Sequence, residues 1–553
     1  MTYGYLPAEV GLKLVDEPDE SYRLGKLNFK TVRRVPVRVS LGCHVEGLAC
    51  PVPELNDGPS TAAQSVKRVA AKMPPLNRAK LRRLKRFALR FCKRHFNNKQ
   101  FASDERFDFD EWINNTPYPE YRKQELREVH EKMQGNKTKK TVKMFLKDEA
   151  YTEYKWPRGI YSRDDEYKCD VGPFFQKFNE IIFDTEFFIK KIPVNDRPKW
   201  LLERFKDRPN VKCTDFSCYE ATFTREIMAV ERIVYKYLLE HHPMKDEIML
   251  KLSVLMGENI IKSKYFEMKL QAKRMSGEMN TSSANGIFNL IVTFFLLEEA
   301  GNRFYGGVFE GDDGIFWYDH APPTSISYAE LGAKIKIESP TRLEEASFCG
   351  MIFDSIALDN IADPLEAIVL FGWTTRQYLF ARKNCKDQLL KSKSLSMLYQ
   401  YPGCPILRNL ALYGLRMTTH VNIEEVELRK KKENLDSYNR EKWYRVLENY
   451  KENDVFEKEI HINTRLLVEN KYKITIDQQL QVEKYLDTLT EIVPLQLDVL
   501  HGLMPRDWFN YYSSYHIETN EPKTYEDLAP LNISIDCSTK VFLNAHAYYY
   551  HKH

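Results

Sequence analysis

Residues 304 to 317 read Phe-Tyr-Gly-Gly-Val-Phe-Glu-Gly-Asp-Asp-Gly-Ile-Phe-Trp, and few folds accommodate that order. Two apolar, aromatic-rich runs flank Gly311, Asp312 and Asp313. Such runs suit paired strands, because bulky side chains pack well on a pleated surface. Aspartate is a poor strand former that tolerates a tight turn, so the pair is predicted at the tip of a β-hairpin. Carboxylates that must stay ionised side by side usually hold a divalent cation. The motif predicts a sheet with an acidic edge.

The chain has 553 residues, more than one ordinary core, so several subdomains are expected. Hydrophobic residues make up 43% and charged residues 29%, the balance of a soluble globular protein. The 32 Tyr and 31 Phe supply core side chains and faces on which bases can stack. A net charge of only +4 excludes polyanion binding by overall charge, so any basic surface must be local. Ten cysteines without a Cys-x-x-Cys pair favour reduced thiols over a disulfide framework. Cys43, His44 and Cys50 lie close in sequence, but no fourth zinc ligand stands at a workable spacing, and they read as buried groups of the N-terminal region. Met1 to Leu14 lacks the pattern of a signal peptide. The longest apolar stretch, Gly286 to Leu297, falls short of the ~20 residues of a membrane span and is interrupted by Asn289 and Thr293.

Short strand-like pieces such as Val35 to Val39 occupy the first 70 residues. Asn77 to Gln100 carries ten Lys/Arg and no acid, with Leu81, Leu84, Ala88 and Phe91 at helical spacing. It reads as a basic amphipathic helix, suited to a nucleic-acid backbone or simply to water. Beyond about residue 360 the pattern is mainly helical. Ile423 to Glu459 mixes both charges and reads as a solvated helix laced with i,i+4 pairs. The Tyr/His-rich tail, Ala545 to His553, reads as frayed or surface-docked, with a priming or template contact as its functional alternative.

Three further segments carry chemistry. Val211 to Glu220 predicts a short strand ending near Asp215, with Glu220 on the turn or helix that follows. Asp215 is far from Asp312 in sequence, so only tertiary structure can join them. Two carboxylates that meet from neighbouring strands can bridge two Mg²⁺ ions ~3.5–4 Å apart. Ser276 to Asn285 predicts a Ser-Gly loop opening a helix, with Thr281 and Asn285 on one face, where polar groups can reach a ribose 2′-hydroxyl. Lys147, Lys155, Arg158 and Arg163 are spaced along an extended, Pro-interrupted segment that suits a triphosphate.

In this order the four elements resemble the RNA-dependent RNA polymerases of positive-strand RNA viruses, in the tombusvirus-like and flavivirus-like lineage. The resemblance covers roughly residues 140 to 355. It implies an α+β right-hand fold with fingers, a palm of antiparallel sheet flanked by helices, and a mainly helical thumb. The boundaries drawn from it are 1–200 for the N-terminal region and fingers, 201–355 for a palm with a fingers insertion at about 225–272, and 356–553 for the thumb and tail. Asp215 matches the first metal aspartate of the family, Asp312 its second and Asp313 an auxiliary ligand, for two Mg²⁺ or Mn²⁺ ions. Ser276, Gly277, Thr281 and Asn285 match the nucleotide- and template-positioning motif. Lys147, Lys155, Arg158 and Arg163 look like the nucleotide entry path. Lys336, in Leu331 to Glu338, fits the proposed general acid toward pyrophosphate better than Lys334. Ala346 to Met351 resembles the hairpin that touches the primer. One departure is Glu220, where the family usually has Asp. Its longer reach is expected to tune sugar selection, together with Asn285.

The implied partners are an RNA template and nascent strand, NTPs, and other viral replication proteins that supply membrane attachment in the host cytoplasm. A reverse transcriptase is disfavoured by Glu310-Gly311 before the Asp pair and by the Ser-Gly loop with Asn285. A catalytically silent RNA-binding subunit is disfavoured by the intact acids, since clustered carboxylates are costly to keep.

Overall fold

A computed structural model of the chain describes residues 23–25, 38–46, 48, 58–133, 140–149, 158–208, 210–378, 380–432, 437–452 and 458–504. Cys50, Lys155 and the tail from 545 to 553 lie outside them.

The basic segment forms the helix Arg78–His95. Asn77 starts it by accepting from the backbone N–H groups of Ala79 and Lys80, which the first turn otherwise leaves unpaired. Leu81, Leu84, Phe87, Ala88, Phe91 and Cys92 form its buried stripe. That stripe packs on the helices Arg225–Leu238 and Thr281–Glu299. Helix Thr281–Glu299 is buried on nearly all sides from Gly286 to Leu297, where its sequence is mainly apolar, and runs through the middle of the largest core.

One sheet borders this core through Phe216, Phe309, Phe316 and Tyr318, and a second sheet builds a smaller core of its own with Val142, Met144, Tyr161, Ile261 and Met268. The first has the order Lys334–Glu338, Val211–Ser217, Asp313–Tyr318, Tyr305–Glu310, and every pairing is antiparallel. The second has the order Arg23–Gly25, Glu267–Leu270, Asn259–Lys262, Thr141–Leu146, Gly159–Arg163. In it Thr141–Leu146 runs parallel to Asn259–Lys262, so residues about 120 apart in the chain lie side by side.

From Pro364 onward the fold is mainly helical and builds a second core. Leu41, Cys43, Val45 and Leu48 belong to that core. Cys43 and His44 are buried, as expected, and sit against residues of the C-terminal half such as Trp373. Burial pushes the Cys43 thiol up to about 12, and His44 Nδ1 lies 2.8 Å from Ser40 Oγ, so both are structural. The segment read as a solvated helix forms two, Ile423–Lys432 and Ser437–Glu452. Val426, Trp443, Val446 and Leu447 are buried in a small core with Leu395 and Tyr399, so these helices are docked and not merely solvated. Among the described residues no helix is long and apolar enough to cross a membrane.

Candidate active site

The predicted hairpin forms, with Glu310 paired to Asp313 and Gly311-Asp312 between them. Gly311 adopts φ +59°, a left-handed conformation that costs glycine little. On the neighbouring strand Thr214 stands opposite Gly314, and on its other side Asp215 stands opposite Lys336. Asp215 thus lies one residue past the Thr214–Gly314 pair, at the level of the turn. Thr214 is buried and Asp215 exposed, as the two-residue period of a strand demands.

The three aspartates feel one another. Surrounding protein removes much of their water and raises the pKa of each. Asp215 is then lowered by Lys336 and raised by Glu338. Asp312 is raised by Glu220 and Asp215, against the opposing charge of Arg158. Asp313 is held up at about 7, by burial first and then by Asp312, Asp215 and Glu310. Asp215 and Asp312 are exposed and Asp313 is half-buried. Among the described residues no group of three His, Cys, Asp or Glu is already drawn together as a metal cage. The donor set nonetheless fits a hard divalent cation: oxygen-only, anionic and electrostatically under-compensated.

The Ser-Gly loop and its helix also form. Ser276 Oγ donates to the Gly159 carbonyl at 3.2 Å, and the Gly277 N–H donates to the Tyr161 carbonyl at 2.8 Å. A Cβ on Gly277 would lie 2.8 Å from that carbonyl oxygen and 3.1 Å from Ser162 Cα, so close backbone approach requires glycine here. Thr281 donates its hydroxyl proton to the loop, with the Glu278 carbonyl at 2.9 Å and that of Met275 at 3.2 Å. The Asn285 side-chain oxygen accepts from Arg274 Nε at 3.0 Å. Glu220, on the one-turn helix Tyr219–Thr222, pairs with Arg68 at 3.3 Å.

The basic segment divides. Arg158 is exposed and its charge reaches Asp312. Lys147 and Arg158 share Glu149, with Arg158 at 3.6 Å. Arg163 departs from its reading as a triphosphate contact. It is 2% exposed, its Nε donates to Glu278 at 2.7 Å and its Nη2 to Asn259 at 2.6 Å. Its strand alternates in burial, and Arg163 falls on the inward side. It ties the strand Gly159–Arg163 to the Ser-Gly loop from below. Lys336 projects largely into solvent, 2.6 Å from Glu338. Phe348 and Met351 pair around Cys349 and Gly350, both at positive φ, so the segment that resembled the primer hairpin is a tight hairpin.

Several residues escaped the sequence reading. Glu231 and Arg274 extend the Arg163–Glu278 pair into a buried network that includes Asn280 and Tyr235. Lys190 and Ser282 hold Glu310 beside the acidic turn, at 3.5 and 3.0 Å. Asn289 contacts the turn itself. Its only sequence signal was a polar break in an apolar run. A cavity of about 630 Å³ lies at the far end of the same hairpin, lined by Arg94, Arg208, Phe304, Tyr305 and Trp317, and Asp215, Asp312 and Asp313 do not line it.

A family model described as viral RNA dependent RNA polymerase matches residues 65–493. No curated protein matches the chain.

Proposed function

The chain belongs to the viral RNA-dependent RNA polymerases, and from that premise we propose that Asp215, Asp312 and Asp313 form the centre at which ribonucleotides are joined to an RNA 3′-hydroxyl. The observation that carries this reading is the strand register: Thr214 opposite Gly314 sets Asp215 beside the acidic turn. Two bound Mg²⁺ or Mn²⁺ ions would supply activation of the 3′-hydroxyl and neutralisation of the leaving pyrophosphate. Asp215 and Asp312 would hold them from adjacent strands, with Asp313 as auxiliary. Arg158 and Lys147 would meet the triphosphate, as cations suited to phosphate. Lys336, across the strand from Asp215, would deliver a proton to pyrophosphate. Glu220 and Asn285 would read the ribose, each oriented by an arginine, Arg68 and Arg274. In this reading the two sheets and the C-terminal helices correspond to palm, fingers and thumb, and the genome copied is positive-strand RNA. Other viral replication proteins would supply membrane attachment.

Templated UMP incorporation with Mg²⁺ or Mn²⁺ tests it. Asp312→Ala is expected to abolish incorporation while RNA binding persists. Substantial incorporation by that variant would overturn the assignment.

A further inference from the structure

Asn289 lies fully buried on helix Thr281–Glu299, beneath the acidic turn. Its Nδ2 is 3.4, 3.1 and 3.2 Å from the carbonyl oxygens of Gly311, Asp312 and Asp313. One –NH₂ offers two protons, so three acceptors share them. The reverse orientation would press the amide oxygen against three carbonyl oxygens, so the nitrogen must face the turn.

A second contact fixes that orientation. Thr293, one helical turn further, places Oγ1 3.3 Å from Asn289 Oδ1. Tyr328 OH lies 2.9 Å from Thr293 Oγ1. Both residues are fully buried, and burial raises the Tyr328 phenol so that it stays protonated at neutral pH. Tyr328 donates to Thr293, and Thr293 to Asn289. A polar amide amid apolar neighbours is costly unless it is bonded, and here its bonds go to the backbone that carries Asp312 and Asp313.

We propose that Asn289, oriented by Thr293 and Tyr328, is a positioning residue that sets the direction of the Asp312 and Asp313 carboxylates for divalent-cation capture. The proposal rests on the reading of the acidic turn as a cation site.

The test is Mn²⁺ binding to the full chain without RNA or NTP, read from the electron paramagnetic resonance signal of free Mn²⁺. Losing the turn's hydrogen bonds in Asn289→Leu is expected to weaken binding about tenfold. Thr293→Val, which leaves the buried Asn289 oxygen without its donor and loosens the amide, is expected to weaken it about threefold, and Thr293→Ser to restore it to within about twofold of the parent. Melting curves on the same samples separate positioning from mere support. A lowered melting point with unchanged Mn²⁺ affinity of the folded protein overturns the proposal. If Asn289→Leu does not fold, the two Thr293 variants decide, and equal affinity in Thr293→Val and the parent overturns it. Asp312→Asn identifies which premise failed. Unchanged binding there removes the cation site itself, whereas lost binding there with normal binding in Asn289→Leu removes only the role of Asn289.

Discussion

Removing Glu278 should destabilise the protein more than removing Glu278 and Arg163 together. The Glu278 side chain is 1% exposed, that of Arg163 1%, Arg274 0% and Glu231 3%. Two guanidiniums and two carboxylates thus share one buried cluster whose formal charges cancel. Glu278→Leu leaves an unmatched positive charge, and Arg163→Met an unmatched negative one. Breaking one side of a buried pair costs about 3–5 kcal/mol, mostly because the partner stays charged without compensation. In a large domain that corresponds to a melting shift of roughly 6–10 °C for each single variant. The double variant restores neutrality, since Arg274 and Glu231 still match. Its remaining loss is the Arg163–Asn259 hydrogen bond, about 1 kcal/mol, and packing imperfections of similar size. The assay is differential scanning calorimetry of the parent, the two single variants and the double variant. A double variant that melts at or below the temperature of Glu278→Leu alone would refute the charge-balance argument.

Three further outcomes are expected. Gly277→Ala should cost about 1–3 kcal/mol and depress RNA synthesis, because the new Cβ meets backbone that cannot yield; unchanged melting and activity would contradict it. Asp354 accepts from Thr464 at 2.5 Å, Asn463 at 2.7 Å and the Ile356 N–H at 2.7 Å, and these bonds outweigh burial and hold its pKa below the usual value. The stability it contributes is present above an unfolded pKa of about 3.9 and is lost as pH falls through its lower folded value. The melting point should therefore drop in that acid range, and less steeply in Asp354→Asn; identical acid profiles would count against this. Replacing Arg82, Lys85 and Arg86 with Gln should flatten the salt dependence of RNA binding by about 0.7 for each phosphate no longer neutralised. Arg83→Gln should not, since Arg83 is paired with Glu299 at 2.7 Å; equal slopes for all variants would assign the helix face to water.

The sequence by itself determined the local elements. Turn chemistry at Gly311-Asp312, the apolar stripe of residues 81–92 and the Ser-Gly loop each follow from residues close in the chain, and each formed where expected. Tertiary structure decided which side chains reach the acidic turn. Arg158 and Arg163 look alike in sequence, yet one influences Asp312 and the other lies locked beneath the loop by Glu278. Asn289 read only as an interruption, and its bonds to the acidic turn exist because the helix passes under a hairpin formed later in the chain. Periodicity and turn preference act over a few residues, and so are legible in order. Strand register, burial and charge partners depend on segments that meet only when distant apolar faces pack together.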